Sequence, residues 1–79
     1  MLRECVLLPG GLRIEIRLEA RGRYCLACLA RAEVLVRYAG EGARHRRRVR
    51  GREEAYQFRS VEQLRYDFER DVADAQAAA

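Results

Sequence analysis

The chain has 79 residues, 49% of them hydrophobic and 35% charged, with a formal net charge of +4. That length makes one small domain with a thin core, and the apolar share excludes a disordered tail. Lysine is absent, so all 16 basic residues, set against 12 acidic ones, are arginines, whose guanidinium groups grip phosphate or carboxylate through paired hydrogen bonds.

Cys5, Cys25 and Cys28 are the only cysteines, and an odd number argues against a secreted disulfide scaffold. No apolar run approaches the roughly 18 residues that cross a membrane, and no basic-then-apolar leader opens the chain. The expected location is the cytoplasm, with no membrane partner.

The first elements form a hairpin. Residues 2–8 make one arm, Pro9-Gly10-Gly11 supplies the turn, and residues 12–20 return. Leu12, Ile14, Ile16 and Leu18 alternate with Arg13, Glu15, Arg17 and Glu19, the period of a strand with one buried and one wet face. Arg21-Gly22-Arg23 breaks the chain. Residues 23–30 then run almost continuously apolar, as a central strand covered on both faces would, with a helix of similar length as the competitor. Residues 33–38 are β-branched and aromatic and read as another strand, although Arg31-Ala32 is a poor turn. Gly40-Glu41-Gly42 marks the next break.

Residues 44–50 are expected as a further strand. Arg44, Arg46, Arg48 and Arg50 share one face, while His45, Arg47 and Val49 take the other. Tyr56-Gln57-Phe58 leads extended into a helix over 61–75. Ser60 is its expected N-cap, with Gln63 reaching back to close a capping box. Val61, Leu64, Phe68 and Val72 form its apolar stripe. Arg65 with Glu69, and Arg70 with Asp74, are i,i+4 pairs of opposite charge. The expected fold is therefore α+β in a single domain, 1–79, with an antiparallel sheet of four to five strands packed on one C-terminal helix.

Six arginines and one histidine crowd residues 44–52. Such density repels itself unless an anion or counterions offset it. On a strand, alternate arginines lie about 7 Å apart, near the spacing of phosphates along a single nucleic-acid strand. Arg44, Arg46, Arg47, Arg48, Arg50 and Arg52 are the candidate contacts to RNA or another polyanion. Tyr38, Tyr56 and Phe58 flank them as candidates for base stacking, with a structural role in the thin core as the alternative. The competing reading is a charged edge strand that resists aggregation. His45, the only histidine, is the candidate catalytic residue, a general base in RNA cleavage assisted by its arginine neighbours. Cys25-Leu26-Ala27-Cys28 matches a C-x-x-C spacing, but residues three apart on a strand face opposite ways. Core packing is the expected role, with no metal and no cofactor.

Across nearly its whole length the chain resembles the TumE-like family, small toxins of bacterial toxin–antitoxin pairs. Residues 3–11 resemble the family's strand ending in a Leu-Pro-Asp-Gly-like turn, and Val34-Leu35-Val36-Arg37-Tyr38 its strand before a glycine-rich segment. The most specific likeness is residues 51–64, from Gly51-Arg52-Glu53-Glu54 to Val61-Glu62-Gln63-Leu64, followed by Asp67-Phe68 and Asp71-Val72. Where the family carries Asp-Asn after tyrosine, Ala39-Gly40 stands here. Where it carries Asp-His-Arg-His, this chain has His45-Arg46-Arg47-Arg48. The resemblance implies a toxin-like protein neutralised by a cognate antitoxin, and implies it more strongly than an active toxin. A non-catalytic module for nucleic acid or an acidic protein is the alternative. A basic scaffold that dimerises through a sheet edge is a third.

Overall fold

Alternating side chains build a sheet that one helix covers on one side only. The computed structural model describes residues 2–78. Its strands are β1 (Leu2–Leu8), β2 (Leu12–Leu18), β3 (Tyr24–Ala30), β4 (Glu33–Glu41), β5 (Arg44–Val49) and β6 (Arg52–Ala55), and α1 (Val61–Ala78) closes the chain. Each strand pairs antiparallel with the next, so the sheet order is the chain order. The expected α+β class is the observed one, with six strands in place of four or five.

The turns account for the difference. Arg50 and Gly51 take positive φ of 51° and 79°, the dihedral sign of the two-residue turns that suit strand twist. The strand therefore stops at Val49 instead of 50, and Val49 faces Arg52 across a new hairpin. The Arg31-Ala32 junction also makes a tight turn, with Arg31 at φ 60°. β4 runs through Gly40 to Glu41, so the break expected at 40–42 falls only after Glu41. β2 ends at Leu18, short of 20, and a single 3-10 turn spans Ala20–Gly22.

The core lies between the helix and the centre of the sheet. Tyr24, Leu26, Cys28, Val36 and Tyr38 meet Leu64, Phe68, Val72 and Ala75. Full burial of a leucine, valine or phenylalanine contributes about 1.5–3 kcal/mol. The helix outruns its expected end at 75. Ser60 caps it, its Oγ accepting from Gln63 N at 3.1 Å, but Gln63 Nε2 reaches forward to Asp67 Oδ1 at 2.9 Å. Val61 is exposed and leaves the stripe. Arg70 lies 3.9 Å from Asp67 and 4.0 Å from Asp71, in place of the expected pairing with Asp74. No ion pair forms between Arg65 and Glu69 among the described residues.

β3 is not covered on both faces. Its outward residues Cys25 and Ala27 sit on the uncovered side of the sheet, yet Ala27 is buried. The residues opposite Ala27 are Glu15 and Arg37, long side chains of the kind whose stems shield a small neighbour while their charged heads stay wet.

Candidate functional site

The register divides the arginine run between two environments. Arg44, Arg46 and Arg48 point to the open face, and His45, Arg47 and Val49 to the helix. Arg50 sits in the turn and leaves the face expected for it. Arg52 pairs with Val49 and so lies on the helix side of the sheet.

On the helix side the polar groups are consumed internally. Arg47 bonds Glu54 Oε1 through Nε at 2.8 Å and Nη2 at 2.5 Å. Its Nη1 also donates to the Tyr38 hydroxyl at 3.3 Å and lies 3.6 Å from Asp71. Tyr38 in turn donates to Asp71. Tyr56 donates to Asp67 at 2.6 Å. Tyr38 is fully buried, with Tyr56 and Phe68 edge-on to its ring. It cannot stack on a base. Tyr56 is half-buried, points its hydroxyl inward, and stands on the side opposite Arg44, Arg46 and Arg48.

His45 is equally engaged. Nε2–H donates to the Gly42 carbonyl at 3.0 Å, which leaves Nδ1 to accept from the Tyr24 hydroxyl at 2.9 Å. The imidazole stacks on Phe58 with centroids 5.1 Å apart and planes 11° from parallel. Both ring nitrogens are thus hydrogen-bonded within the protein. The candidate general base therefore sits in a bonded aromatic stack on the helix side, on the face opposite Arg44, Arg46 and Arg48.

Gly40 permits that packing. A Cβ added there would overlap His45 Nδ1 and the Tyr24 ring, 2.6 Å from Cζ. Gly40→Ala should cost about 1–3 kcal/mol through overpacking. Thermal denaturation would register it, and an unchanged Tm would show that the aromatic stack tolerates displacement.

Sequence reasoning passed over Asp67 and Asp71 as functional groups. Both are buried, at helix positions that continue the apolar spacing of Leu64, Phe68 and Val72. A carboxylate at a core-facing position of an apolar stripe was the available signal. The Tyr56 hydroxyl, seconded by Gln63, holds the Asp67 carboxyl below its usual range against the opposing effect of burial. Burial pushes Tyr24 up to about 12. Tyr38 and Tyr56 rise further, first through burial and then through their bonds to Asp71 and Asp67.

The signs then set two limbs of stability. A depressed carboxylate stabilises above its unfolded pKa and loses that contribution as pH falls through the folded value. Raised tyrosines stabilise fully below their unfolded pKa of about 10 and lose it as pH climbs through the folded values. Urea midpoints should be flat around neutrality and fall above about pH 10. Tyr56→Phe should shrink the acid limb, and an acid limb of unchanged size would remove Tyr56 as its cause.

The open face is different. Two rows cross it in register: Arg3, Arg17, Cys25, Ala39, Arg46 and Ala55, then Cys5, Glu15, Ala27, Arg37, Arg48 and Glu53. Small residues at 25 and 39 floor a shallow trough, walled by Arg17, Arg37, Arg44 and Arg46 with Glu19, Glu41 and Glu53 among them. Arg46 pairs with Glu53 at 3.4 Å. Arg17, Arg37, Arg44 and Arg48 make no ion pair among the described residues. Arg3 faces Arg17, and Arg37 faces Arg48. Like charges set directly opposite on adjacent strands destabilise a sheet.

No family model, curated protein or solved structure matches the chain.

Cys25 faces the trough and Cys28 the core, and burial raises the Cys28 thiol pKa. No three His, Cys, Asp or Glu side chains are grouped to hold a metal among the described residues. No described helix is long and apolar enough to cross a membrane. What the face offers chemically is a set of unpaired guanidinium groups over a small-residue floor. No aromatic residue lies in either row to read bases.

Proposed function

We propose that this protein binds RNA, or a polyanion of similar charge spacing, through the open face of its sheet, without catalysis. The observation that carries the reading is the pair of like-charged cross-strand contacts, Arg3 with Arg17 and Arg37 with Arg48. They cost stability in the free protein and become favourable when phosphates lie between them. With the tyrosines on the other side, contact is to backbone phosphates and is indifferent to base sequence.

Anisotropy titration of a labelled single-stranded RNA across a salt series tests this. Neutralising about four phosphates should give a slope of log K against log salt near roughly −3. Affinity that ignores salt would reject a phosphate interface. The resemblance to TumE-like toxins supports a place in the bacterial cytoplasm, in a toxin–antitoxin pair whose cognate antitoxin is acidic enough to compete for this face. Expression that slows growth, relieved by the adjoining gene, is the expected outcome of that pairing.

A further inference from the structure

We propose that a second copy of this chain adds to the sheet at β1, joining two six-stranded sheets around a two-fold axis at Cys5. The two edges of the sheet are unlike. β6 is four residues long, Arg52-Glu53-Glu54-Ala55, and both its glutamates are tied to arginines of β5. Charge and shortness are how an edge avoids pairing. β1 is less protected, its only charges being Arg3 and Glu4 near one end. It is seven residues, Leu2–Leu8, paired on one side only, with no proline, no lysine and no register shift against β2.

Its side chains are open on both faces: Leu7 is 78% exposed, and Leu2 and Val6 44% each. The inner ones border a groove beside the helix whose apolar wall is Ile14, Ile16, Leu26 and Phe68 and whose rim carries Glu4, Arg65 and Glu69. A free backbone edge flanked by apolar side chains fits another strand, whose main chain supplies the missing hydrogen bonds.

Self-complementarity selects the occupant and the register. A two-fold axis across an antiparallel pair passes between directly opposed identical residues. Centred on Arg3 or Glu4, it would set like charges against each other. Centred on Val6, it would shorten the pairing and bring Arg3 to Pro9. Centred on Cys5, all seven residues pair: Leu2 with Leu8, Arg3 with Leu7, Glu4 with Val6. Arg65 from the helix lines the same groove as Glu4. Such an axis stands perpendicular to the sheet, so both helices lie on one side and both arginine faces on the other. The partner thereby extends the open face across the axis. The inference rests on the edge alone and is tested on the protein without RNA.

Sedimentation of the full chain should show a species of twice 9.2 kDa. A 9.2 kDa species alone at every concentration up to about 1 mM would overturn the proposal. Leu7→Arg places a guanidinium opposite the partner's Arg3 twice per dimer and should raise Kd about tenfold. Residue 7 also faces Arg13 within the sheet, so retention of the fold in that variant is checked by circular dichroism. Arg3→Glu combined with Leu7→Arg should restore association. A dimer indifferent to Leu7→Arg would overturn the pairing.

Diamide supplies the covalent test. Two Cys5 thiols give up two protons and two electrons, diamide is reduced to its hydrazine, and one S–S bond forms across the axis. Opposed residues in an antiparallel pair lie within the Cα separation a disulfide needs. The cross-linked dimer should vanish in Cys5→Ser and persist in Cys25→Ser. The reverse pattern would overturn the Cys5 axis.

Discussion

Replacing Asp71 with alanine should cost about 2–3 kcal/mol. In a domain this size that lowers Tm by roughly 10–20 °C. Asp71 is buried on the helix and takes the Tyr38 hydroxyl proton, with Arg47 Nη1 at 3.6 Å. Without the carboxylate, a fully buried hydroxyl keeps no acceptor, and a buried donor left unpaired loses its hydration without return. Arg47 is about a quarter exposed (26% of its side-chain surface) and still holds Glu54, so the ionic share of the loss is screened and the hydroxyl dominates. Total stability for such a chain is of order 4–12 kcal/mol, so this one change removes a large share.

The mechanism can be isolated. Tyr38→Phe with Asp71→Leu removes both polar partners, and replacing both is milder than stranding one. The double variant should therefore be more stable than Asp71→Ala and less damaged than the sum of the single changes. Strict additivity in urea denaturation would mean that the two side chains do not act as a unit.

Charge reversal on the open face should have the opposite signature. Arg17→Glu with Arg37→Glu should weaken RNA binding about a hundredfold or more, since each guanidinium–phosphate pairing removed is a charge-assisted hydrogen bond. The salt slope should flatten with it, by about 0.7 for each phosphate of the single strand no longer neutralised. The fold should gain. Arg3 would then face a carboxylate at position 17 and Arg48 a carboxylate at position 37, turning two repulsive cross-strand pairs into attractive ones. Binding that falls while Tm rises or holds separates an interface from a structural role. A Tm that falls with the affinity would assign these arginines to the fold. Conversely, Arg47 lies in the same run but bonds Glu54 and Tyr38, so its replacement should lower stability before it touches affinity.

Much of the fold was legible along the chain. Alternation from Leu12 to Glu19 is local chemistry, and it marked β2 and its buried face without reference to anything distant. Pro9-Gly10-Gly11 marked the first turn for the same reason. The split of residues 44–49 into two faces followed from the strand period alone, and the register confirms it. The sixth strand was harder. Its turn uses an arginine at positive φ beside a glycine, and a dense run of like charges hides the punctuation. β3 misled through its composition: small residues beside long charged side chains resemble a strand sandwiched between layers.

The arginine run of residues 44–52 and its likeness to phosphate spacing are properties of the sequence by itself, as are the helix at the C-terminus and the strand period that sorts its side chains into two sets. Only the tertiary structure decided which set meets solvent. The helix covers one face of the sheet, so Arg47 and His45 are spent on Asp71, Glu54, Tyr24 and Phe58. On the other face Arg48 meets Arg37, contributed from eleven residues earlier in the chain, and Arg17 meets Arg3. A sequence specifies how many charges it carries, but the free energy of each depends on what stands opposite it, and that is settled by register and by the face the helix leaves open.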